Sequence, residues 1–499
     1  MRSGKKGAAL VAALFVSFSA QAVDQAALDK LANGDNDEKI EAIGALVDEG
    51  DAAAIEILTR FADGEVELGG RKVEVVVNNR LRSAVADALA ALRLLAPERS
   101  ARLAAAKELA GGADAKMLPL VKKALDNEGD PEIMHLLELA QASILAKTGD
   151  KAQRLAAIRT LGMSASPASK TLLAAAARDA DDDIRSAARK GLREVEGRLA
   201  WGERAGLLFA GVSLGSILLL AALGLAITYG LMGVINMAHG ELIMIGAYTT
   251  YVVQGFFRNA SCFDWYLLAA VPASFAVSAL VGMVLERGVI RWLYGRPLET
   301  LLATWGISLM LIQGVRTIFG AQNVQVENPA FMSGGLQVLS NVVLPWSRIW
   351  IIAFAALVLF LMYLLLVRTR LGLFVRGVTQ NRAMAACVGV PTARVDTWAF
   401  GLGSGIAGLA GCALSQLGNV GPDLGQAYIV DSFMVVVFGG VGQLAGTVYA
   451  ALSLGFANKL LEAGSGAVLA KIAVLVFIIF FIQKKPSGLF ALKGRAVES

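Results

Sequence analysis

Cysteine is scarce in this chain, and the usual signatures of catalysis are missing. The 499 residues hold three cysteines, Cys262, Cys387 and Cys412, too few and too dispersed for a disulfide framework or a zinc site. No GxxxxGK[ST] phosphate loop occurs: Gly464, Gly466 and Lys471 are close together but wrongly spaced, and no hydroxyl residue follows the lysine. Any ATP hydrolysis therefore belongs to another chain. No nucleophile elbow at a strand-to-helix turn, no HExxH and no paired catalytic carboxylates around a cleft are found. No catalytic residue, metal or cofactor is expected, and an intramembrane enzyme has little support. Strong charge is lacking too: a net +5, with no basic and aromatic surface, excludes a nucleic-acid partner.

What the chain has is apolar length, unevenly placed. Hydrophobic residues make up 56% and mean hydropathy is +0.59, yet roughly the first two hundred positions are rich in charge. Arg2, Lys5 and Lys6, the apolar run Ala8–Phe18 and the small-x-small site Ala20-Gln21-Ala22 read as a secretory signal peptide over residues 1–22. An uncleaved anchor is the alternative, and it leaves the next domain on the same side. Residues 23–200 are then a periplasmic domain. Within it RLAAAKELA (Arg102–Ala110) recurs as RLAAIRTLG (Arg154–Gly162), and EIMHLLELA (Glu132–Ala140) matches DIRSAARKG (Asp183–Gly191) at nearly the same offset. Repeating helices with single apolar stripes, buried only by stacked neighbours, predict a HEAT-like helical repeat domain. EVELGGRKVEVVV (Glu65–Val77) alternates about Gly69-Gly70 and predicts a hairpin. His135, without ligand-spaced partners, reads as packing or surface.

Residues 201–499 read as a polytopic α-helical membrane domain. Eight apolar stretches stand out: Ala205–Tyr229, Ile235–Val253, Tyr266–Leu285, Leu301–Phe319, Trp350–Val367, Thr397–Leu417, Tyr428–Leu461 and Ala467–Ile482, most matching the roughly 20 residues a crossing needs. Arg287, Arg291 and Arg296, then Arg368, Arg370, Arg376, Arg382 and Arg394, mark cytoplasmic loops. The basic tail, Lys484, Lys485, Lys493 and Arg495, should also be cytoplasmic, but eight crossings from an external start would leave it outside. Tyr428–Leu461 is too long for one crossing, about 50 Å if helical, and Gly439-Gly440-Val441-Gly442 and Gly446 interrupt it. Splitting it gives nine crossings and returns the tail inside; one long tilted helix is the alternative.

Ionisable groups at bilayer depth point to a pathway, and LAITYGLMGVINMAHGELIMIGAY (Leu225–Tyr248) puts His239 and Glu241 inside an apolar run. Gly230, Gly233 and Gly240 interrupt the helix around Asn236. Such a break is tolerated where protein or a wet cavity satisfies the freed backbone; the alternative is a short cytoplasmic turn with both residues solvated. Thr304, Ser308, Gln313 and Arg316, then Gln416, Asn419 and Asp423, then Asp431 and Gln443, supply further donors and acceptors with few charges. Asn236, His239, Glu241, Thr304, Ser308, Gln313, Gln416, Asn419 and Asp431 are accordingly the candidate pathway residues, in a lining suited to a small neutral solute. Ser and Thr also bond their own helix backbone, which is the competing role. Gly403, Ala407 and Gly411 form a small-residue face for close helix packing, within the chain or between subunits. QNRAMAACVGV (Gln380–Val390), in a long basic loop, predicts a short cytoplasmic helix able to dock a soluble motor, or simply a solvated face.

GLAITYGLMGVINMAHGE (Gly224–Glu241), LYGRPLETLLATWGISLMLIQ (Leu293–Gln313), RGVTQNRAMAACVGVPTARVD (Arg376–Asp396) and KKPSGLF (Lys484–Phe490) resemble the branched-chain amino acid type of ABC importer permease. The signal peptide and repeat domain ahead of the permease, with NNRLRSAV (Asn78–Val85) and NVGPDLGQAYIVDSF (Asn419–Phe433), resemble more narrowly the urea transporter permease. The resemblance implies a subunit of the bacterial inner (cytoplasmic) membrane importing urea or a related small amide. Its partners would be a second homologous permease, two cytoplasmic ATPase subunits and a periplasmic solute-binding protein. It also implies that the ATPase docks on Gln380, Arg382, Met384, Ala385, Ala386 and Gly389. Here the chain departs from the family's docking pattern: Met384 stands where an acidic residue is expected, and Gly389 comes one residue early. A branched-chain amino acid importer, an ion-coupled secondary transporter using His239 and Glu241 as a proton relay, and a membrane-anchored adaptor are the other function classes.

Overall fold

The computed structural model describes residues 25–490, apart from 50–51, 69–70, 76, 95, 97, 112–114, 259–261 and 340. The expected signal peptide (1–22), the hairpin turn Gly69-Gly70 and the tail cations Lys493 and Arg495 lie outside the described residues. Internal contacts group the chain into one unit ending at Trp201 and another starting at Gly202.

The first unit is built from α1 (Gln25–Asn33), α2 (Asn36–Glu49), α3 (Ala52–Ala62), β1 (Glu65–Leu68), β2 (Arg71–Glu74), α4 (Asn79–Arg93), α5 (Arg99–Ala110), α6 (Leu118–Asn127), α7 (Pro131–Thr148), α8 (Lys151–Met163), α9 (Pro167–Ala176) and the start of α10 (Asp182–Met232). Side chains specify the helix starts. Asp130 accepts from the Glu132 and Ile133 amides ahead of α7, with Pro131 in its first turn, and Asp150 with Gln153 forms a reciprocal capping box on α8. Each helix then turns its apolar stripe onto a neighbour. Leu31, Leu46, Leu58, Phe61, Leu81, Leu109, Ile133 and Leu137 share one core, and Ile158, Leu161, Leu173, Ile184 and Val195 share another. Strands β1 and β2 pair antiparallel with Val66 opposite Val73, where the alternation places a hairpin. His135 is on the surface, 3.9 Å from Glu138.

The sequence recurrence is also a recurrence of contacts. Arg102 bonds Glu128 at 2.8 Å and the Ala96 carbonyl at 3.1 Å; Arg154, its counterpart, pairs with Asp179 and bonds the Ala146 carbonyl at 3.2 Å. One turn earlier, Arg99 bridges Asp130 (2.6 Å) and Glu132 (2.9 Å), as Lys151 bridges Asp181 (2.8 Å) and Asp183 (2.7 Å). In both copies a basic residue at one helix start clamps the acidic start of a later helix.

These clamps make the unit acid-sensitive. The Arg102 hydrogen bond holds Glu128 below its ordinary value, and the Arg99 hydrogen bond does the same for Asp130. Hydrogen bonds from Lys151 depress Asp181. A depressed folded pKa contributes stability that is present above the unfolded value, about 4 for a carboxylate, and is lost as pH falls through the folded one. Hydrogen exchange at the starts of α7 and α10 in the full chain, corrected for the intrinsic pH dependence of exchange, should therefore stay protected from pH 7 to about pH 5. Below about pH 4 that protection should fall. Unchanged protection below pH 4 would show that the clamps add nothing.

The second unit continues α10 to Met232 and adds α11 (His239–Phe257), α12 (Tyr266–Gly288), α13 (Pro297–Phe319), β3 (Gly335–Leu339), β4 (Val342–Pro345), α14 (Trp346–Arg368), α15 (Arg370–Gln380), α16 (Arg382–Cys387), α17 (Thr392–Ser415), α18 (Leu424–Gly439), α19 (Leu444–Ser465) and α20 (Ala467–Lys484). Among the described residues, seven helices are long and apolar enough to cross a membrane: α10, α12 with the short turn before it, α13, α14, α17, α19 and α20. This corrects the expectation of eight such stretches. Ile235–Val253 is not one span: residues 233–238 are non-helical, and α11, starting at His239, carries polar groups that keep it out of the seven. Tyr428–Leu461 does divide where its glycines cluster, with Gly440 at φ 102, leaving the 16-residue α18 as a shorter apolar helix beside the 22-residue α19. The all-α expectation needs two small exceptions, β1–β2 and the antiparallel pair β3–β4.

Burial separates centre from periphery. In α17, 89% of the most apolar stretch is buried, against 17% in α20, so α17 is a core helix and α20 leaves most of its surface uncovered by this chain. Small residues explain the difference. A Cβ added at Gly411 of α17 would come within 2.7 Å of the Ala247 amide nitrogen of α11, and one at Gly408 within 2.7 Å of Ser278 of α12. The stripe read from Gly403, Ala407 and Gly411 therefore packs inside this chain, letting helix backbones meet where no hydrophobic force pulls them together.

Candidate functional site

Helix α10 ends where Gly233 adopts φ 64, a left-handed conformation that a side chain would disfavour. The protein satisfies the freed backbone. Asn236 Oδ1 accepts from the Ala238 amide (3.0 Å), and Thr304 Oγ1 on α13 accepts from the Met237 amide (3.2 Å) while donating to the Thr300 carbonyl (2.8 Å). Just beyond, His239 and Glu241 form the first turn of α11, where a carboxylate suits the positive end of the helix. They are 0% and 2% exposed, so the solvated-turn alternative fails.

His239 Nε2 donates to the Ala221 carbonyl on α10 at 2.9 Å, and its ring sits against Gly224. Its Nδ1 has no partner, nor do Asn236 Nδ2 and Glu241 Oε2. The Ser308 hydroxyl on α13 faces the Glu241 carboxylate. A donor and two acceptors are thus held in a buried segment with unused capacity, the kind of group that a bound solute or water completes. Next to this break lies a wholly apolar cleft of about 440 Å³, lined by Ile235, Met237 and Leu301 with residues of α18 and α20.

The other candidate residues scatter. Thr304 and Ser308 join the break. Gln416 is buried elsewhere, its Oε1 accepting from the Tyr266 hydroxyl at 3.0 Å, and Asp431 pairs with Lys471 at 3.0 Å. Gln313 and Asn419 are exposed. Among the described residues no cluster of His, Cys, Asp and Glu could hold a metal.

The short helix expected within Gln380–Val390 exists as α16, capped by Asn381, whose side chain accepts from the Met384 amide at 3.0 Å. Ala385 is buried against Val375, Val378, Val395 and Ala399. Gln380, Arg382, Met384, Ala386 and Gly389 are exposed, Met384 by 63%. One buried anchor beneath an exposed ridge makes α16 a knob rather than part of the bundle.

Sequence reasoning missed a polar cluster beneath that knob. Glu286, 0% exposed, accepts from Thr397 Oγ1 (2.7 Å) and from the Tyr294 hydroxyl (3.2 Å), and lies 3.5 Å from Arg291. Arg382 pairs with the buried Asp396. Burial pushes the Tyr294 phenol up, so it stays a proton donor. A buried acid next to an arginine-rich loop was the available signal, hidden because Glu286 precedes Arg287 and reads as part of a solvated loop.

A family model described as "Branched-chain amino acid transport system / permease component" matches residues 207–483. The high-affinity branched-chain amino acid transport system permease protein LivH of Escherichia coli is 28% identical over 293 residues, covering 56% of this chain and 94% of that protein. BraD of Pseudomonas aeruginosa, of the same description, is 27% identical over 290 residues with the same coverage. The ribose import permease protein RbsC of Escherichia coli is 25% identical over 264 residues, covering 50% of this chain and 77% of that protein. No solved structure matches.

Proposed function

Since the chain belongs to the family of branched-chain amino acid transport system permease components, we propose that it is the inner-membrane subunit of an ATP-driven importer for urea or a related small amide. The observation carrying the solute class is the break at 233–241, whose unpartnered Asn236 Nδ2, His239 Nδ1 and Glu241 Oε2 offer both hydrogen-bond signs. Urea presents amide donors and a carbonyl acceptor without net charge. Fixed donors and acceptors can replace its hydration at membrane depth. The N-terminal unit, read as exported HEAT-like repeats, assists by holding a solute-binding protein or the complex together; the recurring clamps support the repeat reading.

A second reading, import of branched-chain amino acids, is favoured by the apolar cleft beside the break, which suits an aliphatic side chain, and by the functions that the names of LivH and BraD state.

In either case an ATPase subunit docks on α16, a second homologous permease completes the path and carries the other ATPase subunit, and a periplasmic protein delivers solute. Cys387 is exposed at the end of α16, whereas Cys412 is buried. A membrane-permeant thiol crosslinker applied to the native complex should link this chain to an ATPase, and Cys387→Ser should remove that product. Capture of external protein alone through Cys387 would overturn both the docking and the topology.

A further inference from the structure

We propose that Tyr294 is a positioning residue that couples α16 to the helix break at Gly233; the proposal rests on the reading of α16 as the ATPase dock. Two contacts make the connection. On one side, the Arg382 guanidinium of α16 stacks over the Tyr294 ring, 4.8 Å from its centroid, a geometry in which cation and ring attract. On the other, the Tyr294 hydroxyl lies 3.4 Å from the sulfur of Met232, the last residue of α10, and 3.2 Å from Glu286 Oε1. Val234, within the break, is buried with Ile290 and Phe400 in a cluster that Met232 and Tyr294 pack against. One side chain thus touches both the exposed knob and the start of the non-helical segment.

The charges around it keep the connection stiff. Arg382 is tied to Asp396 near the start of α17, and Asp396 is only 1% exposed. Moving Arg382 away would strip a buried carboxylate of its hydrogen-bonded cation, which is strongly unfavourable. Glu286 on α12 fixes the phenol, and Thr397 on α17 together with Arg291 fixes Glu286. A force on α16 therefore reaches Tyr294 through a stacked cation and passes to Met232 and Val234 through a half-buried ring. Packed interiors transmit such displacements because they compress little.

The test uses the assembled complex of both permeases, the ATPase subunits and the solute-binding protein in liposomes. Cys262 and Cys387 are replaced by serine, and Met237 in the break becomes the reporter through Met237→Cys. Reactivity of that thiol toward a small maleimide, with and without ATP, reads movement of the break independently of the solute. In the otherwise native complex ATP should change this reactivity. Tyr294→Leu should suppress the change, and should lower uptake of labelled urea or leucine per ATP hydrolysed about tenfold, with hydrolysis itself within about twofold of native. Tyr294→Phe keeps the ring under Arg382 and the packing volume, so it guards against misfolding; losing only the hydroxyl, it should give an intermediate value. The proposal is overturned if Tyr294→Phe and Tyr294→Leu both leave the ATP response intact. Proportional loss of hydrolysis and uptake with the response retained overturns it as well. Failure of the docking reading shows separately, as the absence of a Cys387–ATPase crosslink in the native chain.

Discussion

Leucine at Gly411 is expected to leave no assembled transporter. The added side chain would enter the space between α17 and α11, where even a Cβ comes within 2.7 Å of the Ala247 amide nitrogen and 2.9 Å of the Ile243 carbonyl carbon. Both neighbours are helix backbone, which cannot swing aside as a side chain can. Ordinary overpacking costs about 1–3 kcal/mol; here the helices must separate, so the cost should exceed that range and break contacts along the whole of α17. Gly255→Leu, where an added Cβ meets nothing within 4 Å, is the control and should assemble normally. Co-purification of the partner subunits with each variant reads the result. Normal assembly of the Gly411 variant would mean that the α11–α17 approach is not what holds the bundle together.

His239→Leu is the second large effect, and it should act on transport more than on assembly. The substitution removes the bond to the Ala221 carbonyl and the free Nδ1 together, while leucine keeps much of the volume. Losing a buried hydrogen bond costs about 1–3 kcal/mol, equivalent to roughly 5- to 150-fold, and uptake should fall within that span. Glu241→Gln keeps the size and one acceptor oxygen, removing the charge and turning the other oxygen into an amide donor. For a neutral solute it should therefore reduce uptake less than His239→Leu. A larger loss with Glu241→Gln, in complexes that assemble, would indicate a charged solute or a proton step; native uptake by both would remove the break from the pathway.

Lipid explains why much of the architecture is legible from residue order. A span must be apolar over about 20 residues, so α12, α13, α14, α17 and α20 follow from hydropathy, and the break between α18 and α19 follows from clustered glycines. The start of α11 does not, since the residues before and after His239 are equally apolar and only tertiary bonds from Thr304 and within the turn decide where the helix resumes. Facing was the other blind spot. Thr300, Thr304, Ser308 and Ile312 form one buried stripe along α13, at four-residue spacing, whereas Gln313 lies one position on and about 100° away around the helix. Counting polar residues singled out Gln313, but the turn places it on the exposed face of α13, away from the buried stripe. Asn419, past the end of α17, is exposed in the same way. Glu286 and Asp396 were passed over because their partners, Tyr294, Thr397 and Arg382, converge only when α12, α16 and α17 pack.

Uptake of labelled urea and labelled leucine, measured in parallel in cells lacking this chain and again after restoring it, tests the central claim most directly. Restoring the chain with its permease partner, the ATPase subunits and the solute-binding protein should return urea uptake, and omitting the ATPase subunits should abolish it. Urea uptake that persists without them, or restoration of leucine uptake in place of urea, would contradict the account.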